Sequence, residues 1–489
     1  MFAFFLTSGL FLGWSLGAND AANVFGTAVG SRMISFKRAA LYCGIFVILG
    51  AVVSGAGAAK TLGELGAVNA IAGAFVVALA AGVTVYWLTT LGYPVSTTQA
   101  IVGAIIGWDL FAGALIDFVT LEKVVLSWFI SPVLAALLSA LLYKLIAYGM
   151  KHMKINMFSL DALTRTGLLL AGIAGAYALG ANNISNVVGI FIPISPFSDI
   201  SFFGIFTLNG AQQLFFIGGV AIALGTFTYG KKVMLTVGEG ISEMSPVAAL
   251  VAVLANALVL FLFASQDLEQ FLLSHGLPAF PLVPVSSSQA IVGSVIGIGL
   301  VKGGRGIRWR VLGEIIGAWV VTPIAAIFLS FIALFFLQNV FQQKTYVPVE
   351  YRVTAAAEQR IRAAGISVTG LADIRGKTYP SAYQFQKALD QPMTLTAREK
   401  SLVMSAAEID QLVVAIQVAN RINDPAITDE QKNAVQKLWG KHFMHRWELE
   451  KALAEQSQEW RMKPNNKKQN EELRRKLDYV YRLIRSAGQ

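Results

Sequence analysis

Gly17-Ala-Asn-Asp-Ala-Ala-Asn-Val-Phe-Gly-Thr27 recurs as Gly180-Ala-Asn-Asn-Ile-Ser-Asn-Val-Val-Gly-Ile190. Pro94-Val-Ser-Thr-Thr-Gln-Ala-Ile-Val-Gly103 recurs as Pro284-Val-Ser-Ser-Ser-Gln-Ala-Ile-Val-Gly293. Two unrelated motifs repeat in the same order, so the chain holds two related halves. Both motifs put Gly, Pro and amide or hydroxyl side chains inside apolar runs. Paired interruptions of this kind in inverted repeats point to a transport site near the middle of a bilayer.

The surrounding composition demands an apolar solvent. Of 489 residues 55% are hydrophobic and 14% charged, with mean hydropathy +0.59, where soluble domains carry about 25% charged residues. Residues 1–340 hold 15 of the 39 Lys+Arg and 12 of the 29 Asp+Glu, so the remaining third of the chain carries most of the charge. The composition changes near Gln338–Lys344. The expected organisation is a first membrane repeat over 1–148, a cytoplasmic linker over 149–165, a second repeat over 166–338 and a soluble, mostly helical domain over 339–489.

Net charge +10 does not point to nucleic acid, because the membrane domain's basic residues lie in short loops and no basic run is interleaved with aromatics. Cys43 is alone, so no intrachain disulfide can form, and no Cys/His cluster has metal spacing. No nucleophile is paired with a base, which argues against an enzyme. The first apolar segment has no basic n-region and is not expected to be a cleaved signal.

Spans of about 20 apolar residues are expected near 3–28, 39–59, 69–91, 94–111 and 124–148, then near 166–192, 203–229, 245–265, 281–300 and 311–338. The count is ten to twelve, and 94–111 and 281–300 could be re-entrant. With ten crossings and the N-terminus outside, cytoplasmic loops carry 13 basic residues, Lys144, Lys231 and Arg308 among them, against Lys60 and Lys123 outside. The positive-inside rule favours that arrangement. Five crossings per half is odd, so the halves are inverted, and the C-terminal domain falls on the side of the N-terminus. The fold class is thus an all-α integral membrane protein of two inverted-topology repeats with broken or re-entrant helices, placed in the cell (inner) membrane.

A helix broken in the membrane aims its free N–H groups and positive dipole end at one spot, which suits an anion. Pro94 and Pro284 are expected to start such half-helices, with Ser96, Thr97, Thr98 and Ser286, Ser287, Ser288 in their first turns beside Gln99 and Gln289. No Lys or Arg stands in any of the four motifs. A multivalent anion held there should therefore travel with a cation, which Asp20 and the Asn side chains can help hold.

At these motifs the sequence resembles the inorganic phosphate transporter (PiT) family, marked by a duplicated Gly-Ala-Asn-Asp-x-x-Asn element with a Pro-x-Ser-[ST]-[ST] element in each half. The resemblance covers residues 1–338 and implies symport of phosphate with Na⁺ or H⁺ by alternating access. Carried onto this chain, it implies substrate ligands Asp20, Asn23, Ser96, Thr97, Thr98, Asn186, Ser286, Ser287 and Ser288. The coupling cation is expected at Asn19, Asp20, Asn182, Asn183, Gln99 and Gln289, with no resident metal and no cofactor besides the transported ion. The expected partners are phosphate, the cation, the lipid bilayer and, in one arrangement, further copies of the chain.

Two features depart from the family pattern: Asn183 replaces the second Asp, and the large insert usual between the halves is absent while a long tail is present. The first keeps a sulfate permease open as an alternative. Phosphate near neutral pH keeps an O–H that a carboxylate such as Asp20 can accept, and sulfate does not. The tail keeps open a nutrient receptor that binds without transporting.

Elsewhere, Gly103/Gly107 and Gly293/Gly297 have close-packing spacing. Glu239 and Glu243 are expected at the interface, and Asn209, Gln212 and Gln213 either line a cavity or cap a kink. In the tail, Thr396–Glu399 and Thr428–Gln431 read as capping boxes, and Leu402, Ile409, Leu412, Val413, Ile416 and Ala419 as one helical stripe.

Overall fold

The computed structural model describes every residue except 1, 66–67, 115, 153–155, 198, 203–205, 232, 235–243, 305–306, 392–394, 417, 419–420, 423–425, 464–466 and 488–489. Glu239 and Glu243 lie outside the described residues. The chain divides into two compact units. One holds Met1–Ala112, Ile116–Phe197 and Leu208–Val347; the other gathers Gly113–Leu115, Ser198–Thr207 and Pro348–Gln489.

The first unit is a helical membrane body. Its elements are α1 (Phe2–Gly30), α2 (Phe36–Ser54), α3 (Ala56–Leu65), α4 (Ile71–Thr90), α5 (Thr97–Ala112), α6 (Phe118–His152), α7 (Met157–Val188) with a 3₁₀ turn Gly189–Ile194, α8 (Gly210–Thr228), α9 (Pro246–Ala264), α10 (Gln266–Ser274), α11 (Ser287–Val301) and α12 (Trp309–Asn339). Among the described residues eight helices are long and apolar enough to cross a membrane, and α5 and α11 are shorter apolar helices.

Inversion of the halves is visible in helix directions. The α1 and α4 helices run parallel, with Phe4 stacked 5.9 Å from Phe75 and Phe11 6.2 Å from Tyr86. In the second half α7 and α9 do the same, Gly167 lying against Leu250 and Gly175 against Ala257. Yet α1 and α7 are antiparallel: Gly9 meets Phe191 near the start of α1, and Gly172 meets Phe25 near its end.

The short helices then cross over between halves. A methyl placed on Gly103 would lie 2.3 Å from the Pro323 carbonyl oxygen in α12, and one on Gly293 would lie 2.1 Å from that of Pro132 in α6. A methyl on the next glycines, Gly107 and Gly297, would lie 2.5 and 2.1 Å from the Ile327 and Ala136 carbonyl oxygens. Each half-helix of one repeat thus seats a small-residue stripe on the Pro-containing last helix of the other.

Several boundaries differ from the sequence reading. The stretch from 149 to 165 is largely helix, since α6 reaches His152 and α7 starts at Met157 behind an Asn156 cap. The span expected from 203 begins instead at Gly210, after a β1 (Ile200–Phe202)–β2 (Phe206–Leu208) ribbon. Asn209 accepts from Gln212 N at 2.8 Å and Gln212 caps back onto Asn209 N at 3.0 Å, so these residues start α8 and cap no kink. After α12 the chain folds back as a strap. Trp108 donates to Thr345 O (3.0 Å), while Asn69 donates to Val347 O and accepts from Val347 N (2.8 Å each).

The second unit contains a duplication of its own. Gly376-Lys-Thr-Tyr-Pro-Ser-Ala-Tyr-Gln-Phe-Gln-Lys-Ala-Leu389 recurs as Gly440-Lys-His-Phe-Met-His-Arg-Trp-Glu-Leu-Glu-Lys-Ala-Leu453. The first lobe holds β3 (Glu350–Arg352), α13 (Ala355–Ala363), β4 (Thr378–Tyr379), α14 (Ala382–Asp390), α15 (Ala397–Ala407) and β5 (Glu408–Ile409). The second holds β6 (Leu412–Val413), α16 (Asp429–Gln436), β7 (His442–Phe443), α17 (Arg446–Gln456) and α18 (Lys467–Ala487). Tyr351 pairs with Tyr379 in one lobe as Leu412 pairs with Phe443 in the other. Gly376 (φ 72°) and Gly440 (φ 73°) make the same left-handed turn, donating to Val353 O and Val414 O at 3.2 and 3.0 Å. Phe385 and Leu389 centre one core, Leu449 and Leu453 the other.

Both expected capping boxes are present, at Thr396–Glu399 and Thr428–Gln431. The helical stripe from Leu402 onward is not, and Ala419 lies outside the described residues. The chain leaves α15 at Ala407, Ile409 pairs with Glu350 and Leu412 with Phe443, so strand pairing breaks the helical period there.

Candidate functional site

The four motifs converge in one buried cluster. Asn19, Asp20 and Asn23 project from the middle of α1, and Asn182, Asn183 and Asn186 from the last turns of α7. Ser96–Gln99 and Ser286–Gln289 open α5 and α11. None of these side chains belongs to a residue more than 4% exposed, so every polar atom must find a partner within the protein or from cargo.

The half-helices start later than the prolines. Pro94-Val95 and Pro284-Val285 are extended, and the helices begin at Thr97 and Ser287. Ser96 and Ser286 are N-caps: each hydroxyl accepts from the N–H three residues on, Gln99 and Gln289, at 3.2 Å. Each hydroxyl, used there as an acceptor, keeps its own O–H to donate. The amides of Thr97, Thr98, Ser287 and Ser288 keep no intrahelical acceptor, as the first turn of any helix requires.

Asn19 and Asn182 brace the breaks. Asn19 Nδ2 donates to Val95 O at 2.9 Å, and Asn182 Nδ2 to Val285 O at 2.7 Å, with Val285 N returning a bond to Asn182 Oδ1 at 3.1 Å. These two side chains satisfy the freed backbone of the extended segments. Their amide nitrogens are thereby committed to the backbone, and Asn182 Oδ1 also accepts from Val285 N, whereas a cation would be met by amide oxygen.

One position further along each motif, the contacts cross between halves. Asn23 Nδ2 donates to Ser287 and Ser288 hydroxyls at 3.0 Å each, and Asn186 Nδ2 to Thr98 Oγ1 at 2.9 Å. Asp20 Oδ1 accepts from Asn19 (2.9 Å), Asn23 and Ser288 (3.3 Å each), while its Oδ2 lies 3.5 Å from Asn183 Nδ2. Asn183 Oδ1 in turn accepts from Asn182 and Asn186 at 2.9 and 3.2 Å. The Asp20–Asn183 contact joins the halves at the centre.

What is left without a protein partner defines the chemistry. Among the described residues Thr97 Oγ1 has none, nor do the amide oxygens of Asn23, Asn186, Gln99 and Gln289. Free N–H groups and a hydroxyl suit a tetrahedral oxyanion. The four amide oxygens, in two symmetry-related pairs, are acceptors that suit a hard cation. With no Lys, Arg or His in the motifs, the fixed charge is the single carboxylate of Asp20.

Two buried polar residues outside the motifs escaped the sequence reading. Asn256 in α9 donates to Asn23 O at 3.4 Å and keeps a bare Oδ1. Asp109 in α5 is 1% exposed, and neither carboxylate oxygen has a partner among the described residues. The available signal was an acid or amide inside an otherwise apolar run; neither belongs to a repeated motif.

The profile described as the Phosphate transporter family matches residues 16–330 and, overlapping it, 279–477. A Methanocaldococcus jannaschii protein named as a phosphate permease is 30% identical over 318 residues, covering 65% of this chain and 91% of that protein. The Arabidopsis thaliana chloroplastic inorganic phosphate transporter 2-1 is 25% identical over 428 residues, covering 66% and 70%. A solved structure titled "The sodium-dependent phosphate transporter" superposes with TM-score 0.57 over 69% of this chain and 99% of that one; at 24% identity the likeness concerns the fold.

Proposed function

The chain belongs to the phosphate transporter family, and from that premise we propose that it imports inorganic phosphate by symport with Na⁺ or a proton, its inverted halves alternating access to the buried cage. The observation that carries this reading is the cross-half bonding of Asn23 to Ser287 and Ser288 and of Asn186 to Thr98. Each asparagine ties a long helix of one repeat to the half-helix of the other. A relative rocking of the repeats must therefore break or remake the ligand shell, which couples occupancy to the direction of access.

Phosphate is favoured by Asp20, whose carboxylate can accept the remaining phosphate O–H and would repel a fully ionised oxyanion. The cation neutralises the charge gained when a phosphate enters a cage holding one carboxylate and no base. Uptake of radiolabelled phosphate and sulfate into proteoliposomes, under Na⁺, K⁺ or proton gradients, tests the reading. Phosphate accumulation driven by Na⁺ or H⁺ is expected; absence of phosphate flux under every gradient would overturn it. Sulfate flux without phosphate flux would favour the permease alternative.

A further inference from the structure

Asp109 lies near the end of α5, about three helical turns beyond Thr98. At 100° and 1.5 Å per residue, Thr98, Val102, Ile105 and Asp109 share one stripe, with the carboxylate roughly 16 Å along it from the cage. Val102 and Ile105 are fully buried, and Asp109 is 1% exposed with two oxygens that have no partner among the described residues.

Helices packed on α5 bring no countercharge to this end. The α4 helix has no Asp, Glu, Lys, Arg or His, only Tyr86 as a titratable group. In α12 the charged residues Arg310 and Glu314 lie in its first turns, and α5 and α12 run parallel, so they sit far from the end of α5. In α7, Asp161 and Arg165 stand in its opening turns, and the Tyr177 hydroxyl is engaged by Ser54. Lys344 in the strap is exposed to solvent. A carboxylate near a helix C-terminus is also the wrong sign for the dipole and for the orphan carbonyls of that turn. All of this favours a cation.

The feature is peculiar to one half. Thr98 corresponds to Ser288, and the place in α11 equivalent to Asp109 is taken by Gly299, where a methyl would meet Ile307 at 2.7 Å. The second half has filled that place with hydrocarbon.

We propose that Asp109 is a binding site for a monovalent cation, Na⁺ or a proton, held apart from Asp20 and staged on the stripe that leads to Thr98 from the face bearing the N-terminus. It supplies the first half with a second carboxylate, while the second half, with Asn183 and Gly299, has none at either level. The inference rests on the cation-coupled reading given above. The test uses the purified full chain. In the sodium arm, equilibrium ²²Na⁺ binding without phosphate is compared for wild type, Asp109→Asn and Asp109→Glu. The Asn variant is expected to lose one bound Na⁺ per chain, or to need about tenfold more Na⁺ for half-saturation, one carboxylate partner's worth. In the proton arm, uptake driven by a pH gradient in Na⁺-free buffer is expected to fall about tenfold in the Asn variant at a limiting gradient and to recover in part with Glu. Wild-type cation dependence of Asp109→Asn in both arms overturns the proposal. If the Asn variant does not fold, a wild-type cation dependence of the neutral Asp109→Ser variant in both arms overturns it instead. Failure of wild type to transport would defeat the transport reading, while the Na⁺-binding arm would still report on Asp109.

Discussion

Asn183 stands where the repeat would place a twin of Asp20, and the two side chains meet at 3.5 Å. One carboxylate facing one amide can share a hydrogen bond without the mutual repulsion of two buried anions. Asp20→Asn removes the only fixed charge of the cage, and coupled phosphate uptake in proteoliposomes is expected to fall by at least about 100-fold, on the scale of a lost charged hydrogen-bond partner. Asn183→Asp puts two carboxylates within contact, so it is expected to raise the number of cations bound per cycle or change the preferred cation. Flux ratios at fixed membrane potential measure that. Unchanged transport in both variants would show that the site lies elsewhere. Asp20, the asparagines and the hydroxyls were legible as a set because they repeat. The division of labour among them was not, since only distances show Asn19 and Asn182 bracing Val95 and Val285, and Ser96 and Ser286 capping their helices.

Among the elements, the half-helices α5 and α11 depend on close approach to the last helix of the opposite repeat. Gly293→Ala would drive a methyl to 2.1 Å from the Pro132 carbonyl oxygen, whereas Gly313 in α12 has nothing within 4 Å. The first substitution is expected to destabilise the detergent-solubilised protein by about 1–3 kcal/mol and Gly313→Ala to change its stability by no more than about 1 kcal/mol, as read by thermal unfolding monitored by size-exclusion. Equal stability of the two variants would contradict the packing described. The glycine spacing announced a close contact, but its partner could not be read. Pro132 and Gly293 stand in different halves of the chain, and nothing local specifies which helix comes near. The failure of the helical stripe after Leu402 has a similar origin, because apolar residues at helical spacing were claimed by partners across a sheet.

At the scale of the whole molecule the tail poses two questions. One concerns its own stability. Glu408, half-buried in β5 close to Asp410, has its carboxyl pushed up from 4.5 to about 7, chiefly by burial and then by Asp410, with Arg446 and Arg485 pulling the other way. The raised folded value means the protonated form favours folding. That contribution is full below pH 4.5 and is lost as pH rises through about 7, on the order of 2–3 kcal/mol in total. Thermal unfolding of the tail is therefore expected to show weakening stability from about pH 5 to about pH 8 in wild type, and much less in Glu408→Gln. A pH dependence identical in the two would assign it to another group. The second question is whether the tail is needed for transport. A chain ending at Val347 keeps the strap bonds to Asn69 and Trp108 and is expected to take up phosphate at a rate within about threefold of the full chain, the spread usual for independent parts of a protein. Loss of uptake on that truncation would favour a receptor or a tail-gated carrier.

The sequence by itself determined that the chain is a membrane protein in two inverted halves, and it marked four polar motifs as one set. Hydrophobic length, loop charge and repetition are written along the chain, and the bilayer turns each into a structural constraint. It also contained the tail's duplication, which is plain once Gly376 and Gly440 are aligned. Tertiary structure alone decided which half each motif serves. Asn23 in the first half reaches Ser287 and Ser288 in the second, and Asn186 in the second reaches back to Thr98. The free oxygens, the braces and the isolated Asp109 all follow from that accounting. A buried polar atom declares its role only when every atom around it is known, because what remains unsatisfied is what the cargo must supply.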